Sequence, residues 1–167
     1  MFYLSLQIIA VFFAVTSCSA PRIAGQQDVL IVDCIRKKTN FDMAKEGLVR
    51  IGLGEAYKPD EGRIAESYQT RKIKFTSLEE AKAFFNKIFT KYLKPINEDK
   101  RLASLAKGYP FSASNTELEI TFIDTRGTPL ASPNIARVRN SGSSVILYTY
   151  DQETRRYLPI MEEKAKG

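Results

Sequence analysis

Apolar and polar positions change period along the chain, and each period predicts an element. From Asp28 onward, Leu30, Cys34, Phe41, Ala44 and Leu48 recur at spacings near three and four, supported by Ile31 and Ile35. This is the mark of a helix with one buried face. Asp28 can cap its start and Gly47 its end, while Thr39 and Asn40 weaken the middle. Val49, Ile51 and Leu53 then alternate with Arg50, Gly52 and Gly54, and after the turn formers at 58–62 a second strand-like run covers 63–75. The pair reads as an antiparallel hairpin. Its second strand is poor in large apolar residues and is expected to lie at an edge or to be partly solvated.

The clearest helix is predicted over 78–94. Thr76 and Ser77 precede Glu79 and Glu80 at capping-box spacing, and Leu78, Ala81, Phe85, Ile88, Phe89 and Tyr92 make one stripe. Pro95 should kink or end it. A second helical stretch over 97–107, with Leu102 and Leu105, stops at Gly108-Tyr109-Pro110. Beyond Ser112 the period becomes two. Leu118, Ile120 and Phe122 open a series that continues at about 135–140, 144–150 and 156–160, joined by Asp124-Thr125-Arg126-Gly127, Asn140-Ser141-Gly142 and Asp151-Gln152-Glu153-Thr154. These joints are rich in turn formers, so the series reads as a four-stranded meander. The expected fold is α+β: an antiparallel sheet, built from the hairpin and the meander, with two to three helices packed on one face.

Residues 1–21 carry no Asp, Glu, Lys or Arg, and 8–15 are uninterrupted Ile, Ala, Val and Phe. The apolar stretch is shorter than the roughly 20 residues a membrane-spanning helix needs and suits the core of a secretory signal, although the usual basic start is missing. At its end, Val15-Thr16-Ser17-Cys18 resembles the lipobox of bacterial lipoproteins. The resemblance implies that the Cys18 thiol is acylated and the chain cut just before it, and Ser19 implies sorting to an outer membrane where the cell has one. Two or more acyl chains would anchor the protein firmly. The order long helix, Tyr109-Pro110-Phe111, meander also looks faintly like small, uncharacterised α+β lipoproteins of bacterial envelopes. The alternative is an ordinary signal cut after Ala20, which would put Pro21 at the scissile bond and release an unlipidated, secreted effector. The organisation expected is a signal peptide over 1–17, a lipid-anchor cysteine and tether over 18–27, one domain over 28–161 and a frayed tail over 162–167.

Composition narrows the chemistry. The 167 residues hold 25 Lys+Arg and 19 Asp+Glu, a net +6, and no histidine. Catalysis by Ser-His-Asp or Cys-His and any zinc site that uses histidine are excluded. The cysteines are Cys18 and Cys34. If Cys18 is acylated, Cys34 reads as a small buried residue; if the chain is simply secreted, a Cys18–Cys34 disulfide is the alternative. Ser104-Leu105-Ala106-Lys107 resembles the Ser-x-x-Lys dyad of penicillin-recognising enzymes, with Ser132-Pro133-Asn134 echoing their second element. Their third element, Lys-Thr-Gly, is absent. A small Ser/Lys hydrolase is therefore the enzymatic alternative, against the plainer reading of a helix end with a solvated lysine. Gly52-Leu53-Gly54 has Tyr57 where a dinucleotide fingerprint needs its third glycine. No calcium-loop spacing occurs, so no metal and no cofactor are expected.

Basic residues cluster as Arg36-Lys37-Lys38, Arg71-Lys72-Lys74, Lys100-Arg101, Arg137 with Arg139, and Arg155-Arg156. On a strand, Arg137 and Arg139 share a face, and Tyr148, Tyr150 and Tyr157 fall on adjacent strands. A basic, aromatic sheet surface could meet anionic head groups, acidic polysaccharide or an envelope protein. A solvated face is the plainer reading, because +6 is modest and acids are interleaved; the same balance argues against nucleic acid. The function expected is a membrane-tethered, non-catalytic binding module of the bacterial envelope.

Overall fold

The computed structural model describes residues 24–52, 57–58 and 60–164, with side chains from Val29 to Glu162. The segment read as a signal, the lipobox-like residues with Cys18, and residues 165–167 lie outside the described residues. The first helix, α1, spans Ala24–Lys45 and so takes up the last residues of the stretch read as a tether. It stops in a Schellman motif: the Gly47 N–H donates to the Ala44 carbonyl, the Leu48 N–H to that of Met43, and Gly47 adopts φ +76°.

A seven-stranded sheet follows. Its strands are β1 (Val49–Arg50), β2 (Tyr57–Lys58), β3 (Arg63–Thr70), β4 (Thr116–Phe122), β5 (Arg137–Ser141), β6 (Ser144–Asp151) and β7 (Arg156–Lys164). The order is β1-β3-β4-β5-β6-β7, and β2 also pairs with β3. Val49 and Arg50 lie opposite Gln69 and Tyr68, and Tyr57 and Lys58 opposite Ile64 and Arg63. β1 and β2 therefore share one edge of β3, and the Ile51 N–H continues the β1 pairing by donating to the Ser67 carbonyl at 2.8 Å. The antiparallel hairpin expected here forms, but its second strand is not at an edge. The other side of β3 pairs along its length with β4, in parallel, from Ile64 opposite Thr116 to Thr70 opposite Phe122. Of the two alternatives the edge fails and the partly solvated strand holds: β3 turns Ile64, Glu66, Tyr68 and Thr70 to the core, two of those four being polar, while the residues between them are half-buried.

A parallel pair needs a long crossover, which α2 (Leu78–Asn97) and α3 (Lys100–Leu105) supply. Ser77 caps α2, its Oγ accepting from the Glu80 N–H at 3.3 Å. Ala81, Phe85, Ile88, Tyr92 and Ile96 are buried, in agreement with the predicted stripe. Pro95 does not end α2, which runs to Asn97. The Asn97 side chain then pins the loop beyond α3: its Nδ2 donates to the Phe111 carbonyl at 2.7 Å and its Oδ1 accepts from the Phe111 N–H at 2.9 Å. The meander β4–β7 forms as expected, all antiparallel. β7 continues through residues expected to fray, as far as Lys164.

Helices cover one face of the sheet, and a single core lies between. Phe75 and Phe84 pack on Phe122 with ring centroids 5.4 and 6.3 Å away, and Tyr68 meets Tyr92 edge to face at 6.3 Å. α1 contributes Ile31, Ile35, Thr39 and Met43. This corrects the predicted face. Leu30 and Phe41 of the expected stripe are 60% and 67% exposed, and Ala44 also faces outward. Cys34 is half-buried at the margin of the core, packing against it while its thiol bonds Asp99.

Candidate binding surface

The sheet face away from the helices is built by alternation. Residues opposite one another in register share a face, so Glu119 lies beside Arg139 on β5, and Arg137 beside Tyr148 on β6. Beyond the register shift at Leu147/Tyr148, Tyr150 lies opposite Tyr157 on β7. Arg137, Arg139, Tyr148 and Tyr150, singled out from sequence, thus come together on one surface.

Ion pairs cross the strands diagonally. Arg137 NH1 is 3.3 Å from Glu119 Oε2, Arg139 NH1 is 3.9 Å from Glu117 Oε1, and Arg63 NH2 reaches the other oxygen of Glu117 at 3.2 Å. Tyrosine rings meet the same cations. The Arg137 guanidinium carbon lies 3.4 Å from the centroid of the Tyr157 ring, that of Arg139 lies 5.6 Å from Tyr148, and the Tyr150 and Tyr157 rings are 5.2 Å apart. Both arginines are within cation–π reach of an aromatic face. Arg137, with 24% of its side chain exposed, is held between carboxylate and ring. Such an array presents fixed, planar groups of both signs at low entropic cost.

The missed members are Glu117 and Glu119. Their signal was available: Glu119 alternates with Leu118 and Ile120, so once those two are assigned to the core it must face outward beside the arginines. With them the surface is a mixed ladder rather than a basic patch. A cleft of about 320 Å³ opens at its β1 end between Gly52, Lys58, Ser67, Glu117 and Glu119.

The Ser104–Lys107 dyad does not assemble. α3 ends at Leu105, so Lys107 is outside the helical turn that would bring it beside the serine. Ser104 Oγ donates to the Arg101 carbonyl at 2.9 Å and Lys107 Nζ to the Asp60 carbonyl at 2.7 Å. Lys107 is tied down at a tight crossing. Gly108 has φ +83°, and a Cβ there would sit 2.1 Å from the Gly62 carbonyl oxygen.

Two ionisable clusters support the fold. Asp99 caps α3 and gathers α1 onto it: it accepts hydrogen bonds from the Arg101 N–H at 2.9 Å, from Arg101 NH2 at 2.9 Å and from the Cys34 thiol at 3.2 Å, and lies 3.1 Å from Lys38 Nζ. Hydrogen bonding to Arg101 is the main reason its carboxyl titrates far below the usual range. Burial and Asp99 both push the Cys34 thiol up, the opposite of what a nucleophilic cysteine needs. Within the core, Glu66 pairs with Arg50 Nε at 2.5 Å, and burial raises its pKa despite that cation. Burial also pushes the Tyr68 phenol up to about 12.

No family model matches the chain, and neither does any curated protein or solved structure. Among the described residues, no helix is long and apolar enough to cross a membrane. No group of three or more His, Cys, Asp or Glu there could hold a metal ion.

Proposed function

We propose that the protein is a lipid-anchored binding module of the bacterial envelope, held to a membrane through Cys18, with the uncovered sheet face as its contact surface. The observation that carries this reading is the pairing of an address with a surface. The lipobox-like Val15-Thr16-Ser17-Cys18 ends a charge-free apolar run a few residues before α1, and the domain beyond presents Arg137, Arg139, Tyr148 and Tyr150 on a face no described element covers. Fixed guanidinium and phenol groups suit recognition rather than proton transfer, which needs a donor or acceptor poised near neutral pH. The mixed charge fits an envelope protein with carboxylates and amides of its own better than a polyanion.

The test is intact mass and membrane fractionation of the chain expressed with its own N-terminus, beside Cys18→Ala. A mass raised by acyl groups and membrane association lost in Cys18→Ala are expected. An unmodified chain beginning near Pro21 or Arg22 would overturn the anchor and leave a secreted effector.

A further inference from the structure

The outward side of α1 is a second apolar stripe with no covering element among the described residues. Leu30 and Phe41 lie three helical turns apart on one line, and Cys34, Lys37 and Ala44 fall along the same side. Leu30 is 60% exposed and Phe41 67%, with Val29 beside them at 67%. Cations flank the line. Lys45 Nζ sits 4.0 Å from the centroid of the Phe41 ring, Lys37 pairs with Asp33 at 2.6 Å, and Lys38 and Arg101 converge on Asp99 across a groove of about 310 Å³.

We infer that this side of α1 lies against the surface of an anionic bilayer, Leu30 and Phe41 entering the head-group region while Lys37, Lys38, Lys45 and Arg101 meet lipid phosphates. The inference rests on the lipid-anchor reading and adds the orientation of the domain. Reach favours it: the six residues from Cys18 to Ala24 span at most about 20 Å, so an acylated Cys18 holds the start of α1 at the membrane. Charge favours it over a second copy. Lys37 stands on the line midway between Leu30 and Phe41, and Lys38, Lys45 and Arg101 flank it, so a second copy would set like charges against one another. Two separated apolar anchors among lysines whose stems can lie along the interface describe a helix resting on lipid.

The protein has no tryptophan, so one introduced residue reports alone. Phe41→Trp and Leu158→Trp, the latter on the edge strand β7, are made in the full chain and placed in phosphatidylethanolamine/phosphatidylglycerol vesicles with brominated acyl chains. Circular dichroism checks that each variant is folded. The Phe41→Trp emission should shift to the blue and be quenched about twofold or more, as for a side chain at the head-group boundary, while Leu158→Trp should stay unquenched. Lys37→Glu with Lys45→Glu should abolish the quenching while leaving Cys18-dependent fractionation intact. An acylated, membrane-bound chain whose Phe41→Trp probe is unquenched overturns the orientation and leaves the anchor standing. If mass shows no acylation, the anchor reading fails, and the same probe with added vesicles decides docking: quenching supports it and no quenching overturns it. A blue shift without lipid, with a doubled mass in solution, assigns the stripe to a second copy and overturns it too.

Discussion

α1 and α2 lie side by side under the same sheet, yet they treat their apolar residues differently. α2 turns its one stripe inward and leaves charge outside: Glu79, Glu80, Lys87 and Lys94 are solvated around Ala81, Phe85, Ile88 and Tyr92. α1 carries two stripes on opposite sides. The inner one, Ile31, Ile35, Thr39 and Met43, has a polar residue at its centre, where Thr39 Oγ1 bonds back to the Ile35 carbonyl at 3.0 Å. The outer one holds the more exposed leucine and phenylalanine. A helix serving only the core has no reason to spend Leu30 and Phe41 on solvent, so the contrast separates a purely structural helix from one with a second surface to satisfy.

Truncation should draw the same line. Phe85→Ala removes a ring from a filled core and should cost about 4 kcal/mol in denaturant unfolding. Ile35→Ala, on the inner stripe of α1, should cost about 3 kcal/mol; a loss as small as that from an exposed position would mean α1 is not docked as described. The Asp99 link between α1 and α3 should be visible in acid. Because its folded pKa is depressed, its contribution is complete above the ordinary carboxyl value and disappears as pH falls below it. Asp99→Asn should therefore lower the melting temperature near pH 7, and the gap from the parent should close in an acid titration. Ser77→Ala, which deletes the α2 cap, should cost about 1 kcal/mol by the same denaturant measurement. Phe41→Ser should change stability by no more than about 0.5 kcal/mol while weakening vesicle association of the folded chain in a Cys18→Ala background. A large loss there would move Phe41 into the core and end the comparison.

What the residue pattern revealed follows the same logic. α2 was legible because stripe and cap agree, and only its end was misplaced, since Pro95 lies inside the helix. In α1 the spacing of Leu30, Cys34, Phe41 and Ala44 was as regular as that of the residues that are buried. Periodicity identifies an apolar stripe but not what covers it. β3 invited the edge alternative because Glu66 and Thr70 take core positions, where Arg50 pairs with one Glu66 oxygen and the Lys72 N–H donates to Thr70 Oγ1. Its parallel partner left no local trace, since that register depends on the length and packing of α2 and α3. The surface of Arg137, Arg139, Tyr148 and Tyr150 was legible from alternation in the meander. The carboxylates that tie it together were not, because clusters of one charge draw the eye and partners on the neighbouring strand do not.

The parallel join of β3 and β4 also carries a consequence in time. The last three strands of the meander close through short turns, as where Ser141 faces Ser144 across two residues, and such hairpins form in about 1–10 µs. Ile64 cannot find Thr116 until the whole of α2 and α3 has been laid between them. Distant pairings are the slow ones, so the C-terminal half can organise early while the N-terminal third waits for a partner strand. A chain made N-terminus first presents α1 and β3 long before β4 arrives, with the core-facing side chains of both still exposed.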